Sequence, residues 1–133
     1  METKLSKFQY TTPRIINFKY SANLNLEEKN YSLNIKHTKK ISLISANEAE
    51  VVLNMKIAAQ DESPIDIEFS VVAKFRWQDL SDENIKYMLN QTAPALLVGY
   101  ARPIVSMFTN ASGLSPFNLP MIDFTNDPIE DIS

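Results

Sequence analysis

Ala93-Pro-Ala-Leu-Leu-Val-Gly-Tyr-Ala-Arg102-Pro-Ile-Val-Ser-Met-Phe108 decides how the rest of the chain is read. Between Ala95 and Phe108 the only charge is Arg102, so a helix here is apolar on nearly every face. A surface helix needs one apolar stripe, with polar residues elsewhere. A helix without a polar face must be covered on two sides, and 133 residues can hardly do that alone. The expectation is that one face packs on the protein's own sheet and another meets a second subunit.

The ends of this helix are marked. Pro94 suits its first turn and Gly113 its C-terminal cap. Pro103 sits inside and opposes the carbonyl of Gly99, which predicts a kink. Just before it, Ser81 followed by Asp82 and Glu83 reads as an N-cap with acids where the helix dipole favours them. Ile85, Met88 and Leu89 carry that first piece to Gln91, and Pro94 is expected to end it.

Working outward, Ile65 to Trp77 keeps one consistent apolar face. Ile65, Ile67, Phe69, Val71, Ala73, Phe75 and Trp77 face one way, and Asp66, Glu68, Ser70, Lys74 and Arg76 the other. Val51, Leu53, Met55, Ile57 and Ala59 repeat that pattern, with Gln60 to Pro64 as a hairpin connection. Tyr31, Leu33 and Ile35 form one face of an earlier strand that continues to Ile41 and Leu43, with a bulge where the pattern slips at Ile44. Ile16, Phe18, Tyr20, Ala22, Leu24 and Leu26 give a first strand, and residues 1–12 carry no periodicity and are expected to fray. The fold class is therefore α+β: a four-stranded antiparallel sheet covered by a long, kinked C-terminal helix. Phe117, Leu119, Met121 or Ile122, and Phe124 are expected to pack back on the body as an extended, proline-broken tail. Thr125 to Ser133 is expected to be solvated and flexible. One domain over residues 1–133 is the expectation for this length.

Composition narrows the function. Hydrophobic residues make up 44% and charged ones 22%, enough apolar material for a core in an ordinary soluble chain. A net charge of −3 gives no basic field for phosphate backbones, so nucleic acid is not the expected partner. There is no cysteine, hence no disulfide and no thiolate metal site. The N-terminal residues lack the apolar core of a signal peptide, and the apolar run at 93–101 is too short to span a bilayer; a cytoplasmic location is expected.

Catalysis has no foothold. His37 is the only histidine, with no orienting partner or nucleophile in view, and reads as a surface residue. Only Gly99 and Gly113 are present, too few for a phosphate-cradling loop. Lys36, Lys39 and Lys40 read as a solvated face, or as edge-strand lysines that deter pairing with other chains. We therefore expect no enzyme, no cofactor and no metal. The aromatic residues, with Met55, Met88, Met107 and Met121, exceed what one small layer hides easily, and apolar surface left exposed marks a binding site.

Tyr100-Ala101-Arg102, Ser106-Met107 and Phe117-Asn-Leu-Pro-Met-Ile-Asp-Phe124, preceded in order by Glu50-Val-Val-Leu53 and the Ile65 to Trp77 strand, resemble the SecB protein-export chaperones. The resemblance covers roughly the last two thirds of the chain. It implies an ATP-independent chaperone that holds unfolded preproteins in apolar grooves for export, assembled as a homotetramer, a dimer of dimers. It also implies hand-over of clients to the SecA motor. By position it assigns client binding to Phe18, Tyr20, Leu33, Ile35, Ile67, Phe69 and Val71. It assigns subunit contact to Val98, Tyr100, Ala101, Ile104 and Met107, and motor docking to Asp66 and Glu68.

The chain departs from the family pattern in three places. Asn-Asp-Pro-Ile-Glu-Asp-Ile-Ser at 126–133 stands where the family has a second amphipathic helix, Lys19 and Asn23 stand where the first strand would carry acids, and Pro103 replaces a glutamate. These departures give weight to a chaperone dedicated to one partner, such as an antitoxin. A carrier of a small lipophilic ligand is the remaining alternative, one from a different class.

Overall fold

The structure, a computed structural model, describes residues 1–27 and 30–126. Its strands are β1 (Phe8–Tyr10), β2 (Arg14–Ala22), β3 (Leu33–Ser45), β4 (Glu48–Ala59) and β5 (Ile65–Trp77). They are followed by α1 (Asp82–Tyr87), a π-helical stretch (Met88–Thr92) and α2 (Ala93–Ala111). The sheet is antiparallel throughout and has five strands, not four. The extra strand does not widen it. β1 and β2 lie end to end along the same side of β5, and β4 and then β3 follow on its other side.

Residues 8–10 were expected to fray, and that expectation is corrected. Phe8 stands opposite Trp77 and is buried, its ring stacked 5.4 Å from Phe75. Three residues are too few to display a period, and their partner lies at the far end of the sheet's longest strand. Pro13, which has no amide to give to a ladder, separates β1 from β2. Thr11 bridges the gap: its amide donates to the Lys74 carbonyl at 2.9 Å, and its hydroxyl accepts from the Lys74 amide at 3.1 Å.

β3, β4 and β5 form a meander whose inner-face rows run straight across, for example Phe18–Phe69–Met55–His37 and Tyr20–Ile67–Ile57–Ile35. The slip expected near Ile44 is present, between Leu43 and Ser45. A second one, between Ile15 and Asn17, was not expected. It puts Ile15 against the core and leaves Ile16 59% exposed, while Phe18 and Tyr20 keep the inward phase.

The cover is the helical run. Ser81 caps α1, its hydroxyl accepting from the Asn84 amide at 3.2 Å. The expected break before Pro94 does not occur. A proline at 94 has no amide for the Asn90 carbonyl and its ring crowds that oxygen. The chain answers by widening: Ala93 donates to Met88, one residue further back than in an α-helix, and Thr92 stays helical. α2 then continues across Pro103 to Ala111, and Gly113 follows at φ +80°, the left-handed cap position its lack of a Cβ permits. Leu97, Val98, Ala101 and Val105 are the buried stripe of α2, one helical repeat apart, set on the inner face of the sheet.

Candidate client-binding groove

The inner face of the sheet is not uniformly covered. On the β2 side, Phe18, Tyr20 and Phe108 form an aromatic cluster, with ring centroids 4.8 Å (Phe18–Phe108) and 5.4 Å (Tyr20–Phe108) apart. The Tyr20 and Ser112 hydroxyls, 2.8 Å apart, fix the end of the helix there. At that same end of the sheet a groove of about 1130 Å³ opens among the start of β3, the segment after β2 and the end of α2. Leu24, Leu26, Tyr31, Leu33, Leu114 and Phe117 supply most of its apolar lining, and Asn23, Glu27, Asn30, Thr109, Ser112 and Ser115 its polar lining. Leu24 is 66% exposed, a large aliphatic side chain held in solvent at the groove's rim.

On the β3 side the extended segment after Gly113 closes the face. It runs antiparallel to the helix: Phe117 donates to Thr109 Oγ1 at 2.8 Å, and Arg102 Nε donates to the Leu119 carbonyl at 2.6 Å. Gln91 Oε1 accepts from the Phe124 amide at 2.7 Å. Leu119 and Phe124 are fully buried and Phe117 and Ile122 partly so, whereas Met121 is 95% exposed. Of the two residues expected at that step, Ile122 is the one that packs.

Two residues of β3 differ from their expectation. His37 is not a surface histidine: it lies on the inner face, its ring edge-on to Phe124 with centroids 4.8 Å apart. Lys39 lies on the same face rather than among the solvated lysines. Its Nζ donates to the carbonyls of Asn90 at 3.0 Å and Phe124 at 2.8 Å. Lys36 and Lys40 are exposed on the other face. Both inward turns follow from strict alternation between Ile35 and Ile41, which outranks polarity once a carbonyl or an aromatic edge waits inside.

The residues assigned by resemblance now have places. Leu33 and Ile35 are half-buried on the edge strand, and Phe18 and Tyr20 half-buried in the aromatic cluster. Ile67, Phe69 and Val71 are fully buried beneath the helix. On α2, Val98 and Ala101 face the sheet, Ile104 is half-buried, and Tyr100 and Met107 point outward at 39% and 60% exposure. Asp66 and Glu68 are exposed on the outer face, where Glu68 stands opposite Lys19 on one side and Lys56 on the other, with Lys36 next in the row.

Gln91, Arg102 and Thr109 escaped sequence reasoning as a set. The signal that could have found them is the tail itself, a proline-rich segment whose buried main-chain groups must be paired somewhere. Among the described residues no group of three or more His, Cys, Asp or Glu side chains could hold a metal ion. No described helix is long and apolar enough to cross a membrane.

A family model for preprotein translocase subunit SecB matches residues 13–126, which takes in β2 through the extended tail. The chain belongs to the SecB family. Two SecB-family protein-export proteins, from the Boryong and Ikeda strains of Orientia tsutsugamushi, are each 28% identical to this SecB-family chain over 85 residues. That alignment covers 64% of this chain and 53% and 52% of theirs, so the chain spans about half the length of the curated relatives it matches. In fold it is similar to the Mycobacterium tuberculosis SecB-like chaperone solved with a ChAD peptide from the HigA1 antitoxin. The TM-score is 0.67 at 14% identity, with 88% of each chain covered. A Streptococcus agalactiae protein of unknown function shares the fold at TM-score 0.51 and 14% identity, over 88% of this chain and 99% of that one.

Proposed function

We propose that this SecB-family chain is an ATP-independent, non-enzymatic chaperone that holds non-native polypeptide. The observation that carries the reading is the groove at the end of the sheet, with Leu24, Leu26 and Leu33 beside Asn23, Thr109 and Ser112. A polypeptide offers apolar side chains and amides together, and a lining of both kinds suits it. Clients reach the walls at Phe18, Tyr20, Leu33 and Ile35, which Ile67, Phe69 and Val71 support from below.

Outward-facing Tyr100 and Met107, on a helix already bound to its sheet by the opposite stripe, support self-association through α2, with Ile104 at the margin. A homotetramer built as a dimer of dimers, in the cytoplasm, completes the reading.

A second reading, a chaperone dedicated to one partner such as an antitoxin rather than a general export factor coupled to SecA, is favoured by one observation. The outer-face row Lys19–Glu68–Lys56–Lys36 holds three cations and one carboxylate, with Asp66 close by on β5, which argues against an acidic docking face. Calorimetric titration with a permanently unfolded polypeptide and with its folded form, alongside native mass and a SecA binding trace, tests both. Binding of the unfolded form alone supports the chaperone. Binding of neither form removes general chaperoning, and an absent SecA response leaves the dedicated reading standing.

A further inference from the structure

The tail is held in an unusual manner. Thr109, Arg102 and Gln91 hydrogen-bond its main chain, and Lys39 does the same while its Nζ also stands 5.5 Å over the centre of the Phe124 ring. Thr109 Oγ1 accepts from the Phe117 amide. Arg102 donates to the carbonyls of Leu119 and Pro120, the latter at 3.4 Å. Gln91 accepts from the Phe124 amide and donates to the Ile122 carbonyl at 3.4 Å, and Lys39 donates to the Phe124 carbonyl. Donors and acceptors thus follow one another along eight residues of extended chain, and every hydrogen bond among them goes to the main chain. The side-chain content is two fully buried apolar anchors five residues apart, Leu119 and Phe124, with Phe117 and Ile122 partly buried beside them, while Pro120, Met121 and Asp123 face out.

An extended peptide read through its backbone, with pockets for a few apolar side chains, is a recurring mode of peptide recognition. We infer that the track formed by Gln91, Arg102 and Thr109 on the helical run and Lys39 on β3 is a peptide-binding site. Residues 117–124 are its resident occupant, and an extended segment of non-native polypeptide carrying two apolar anchors displaces them. The inference rests on the chaperone reading and adds a site to it, one that meets the groove at the sheet end at Thr109 and Phe117 and runs on from there to Lys39. The strap has a purpose in that arrangement. It keeps the Leu119 and Phe124 pockets covered when no client is bound, and sets how strong an incoming segment must be, because affinity is reduced by the fraction of molecules with the strap released.

The chain has no cysteine, so Met121→Cys in the full-length protein gives one thiol on the exposed side of the strap, ready for a nitroxide label. The label spectrum is followed while a reduced, carboxymethylated polypeptide is added, with binding measured in parallel by calorimetry. Sharpening of the spectrum in step with client saturation is expected. Client binding with an unchanged spectrum overturns the strap and leaves the chaperone reading intact. Absence of client binding overturns both. Release that follows protein concentration without client, with doubled mass, assigns the track to a second copy and overturns the client assignment. In a second arm, Leu119→Ser with Phe124→Ser weakens the occupant and leaves all four track residues in place. Client affinity is expected to rise about tenfold or more, as for removal of a competitor that leaves the track open about a tenth of the time. Unchanged or weaker binding by a cooperatively melting variant overturns the proposal; if the variant does not fold, the label experiment decides.

Discussion

Lys39 Nζ lies 3.0 Å from the carbonyl oxygen of Asn90, the atom an α-helix would pair with the amide of residue 94, and residue 94 is a proline. The lysine thus serves the helical run at the place where its ladder is interrupted, and with a second bond holds the tail at Phe124. Lys39→Met keeps most of the stem and removes both bonds. Hydrogen bonds to charged groups contribute about 1.5–3 kcal/mol each where buried, and this site is half-buried, so a loss of about 2 kcal/mol in urea unfolding is expected. The amides around Phe124 should exchange faster with solvent in the same variant.

Thr109→Val removes the acceptor of the Phe117 amide at near-constant shape. The hydroxyl also donates to the carbonyls of Val105 and Ser106, and it is buried, so about 1–3 kcal/mol is expected from the amide left unpaired. Exchange at Phe117 is the local readout and thermal melting the global one.

Phe69→Ala empties the centre of the row that joins Phe18 to Met55. A fully buried phenylalanine truncated in this way costs about 3–5 kcal/mol, a large part of the stability of a domain this size. A fall in the urea midpoint of less than a quarter of the wild-type value would contradict the core assignment.

The Asp123 carboxyl is held below the usual carboxylate range, first by the Thr125 hydroxyl and then by the Thr125 amide, with Lys39 adding attraction. A lowered native value means this contribution is fully present above the unfolded value near 3.8 and is lost as pH falls through the native one. Carbon-detected titration should find the Asp123 midpoint below that of a model peptide. Thr125→Val should raise it, leaving the melting temperature at neutral pH almost unchanged, because the group is fully exposed.

Met107→Glu places a charge on the outward side of α2 without touching the buried stripe. The monomer's melting temperature should stay within a few degrees, while native mass should fall if α2 joins subunits. A tetramer that survives this change would move the interface elsewhere.

The central sheet was legible because its signal is repetition. Seven inward positions on β5 and five on β4 are all apolar and buried, and most of the positions between them are polar, so their faces followed from side-chain type, with Val72 as an apolar residue in the outward phase. Ser81 and Gly113 were legible because each acts on its own backbone. The features that stayed hidden depend on partners distant in sequence. β1 exists because Phe75 and Trp77 wait for it, and His37 and Lys39 turn inward because the tail returns to them. Pro94 read as a stop because local rules do not include the π-helical widening that a covered helix can adopt. Of the residues assigned to client binding, Phe18, Tyr20, Leu33 and Ile35 are half-buried, whereas Ile67, Phe69 and Val71 are buried under α2, a difference that strand alternation alone does not reveal.

The pairing of β1 and β2 with β5 also orders events at the ribosome. β3, β4 and β5 can zip up through short connections as they emerge, but Phe8 meets Trp77 only after about 70 further residues have been made. At ordinary elongation rates of roughly 5–20 residues per second, the first-made strands wait on the order of 4–14 s without a place in the sheet. During that interval β5 has not yet been made, and the nascent chain presents an unpaired, partly apolar strand of its own. A protein of this topology passes through the very state that its grooves are proposed to hold.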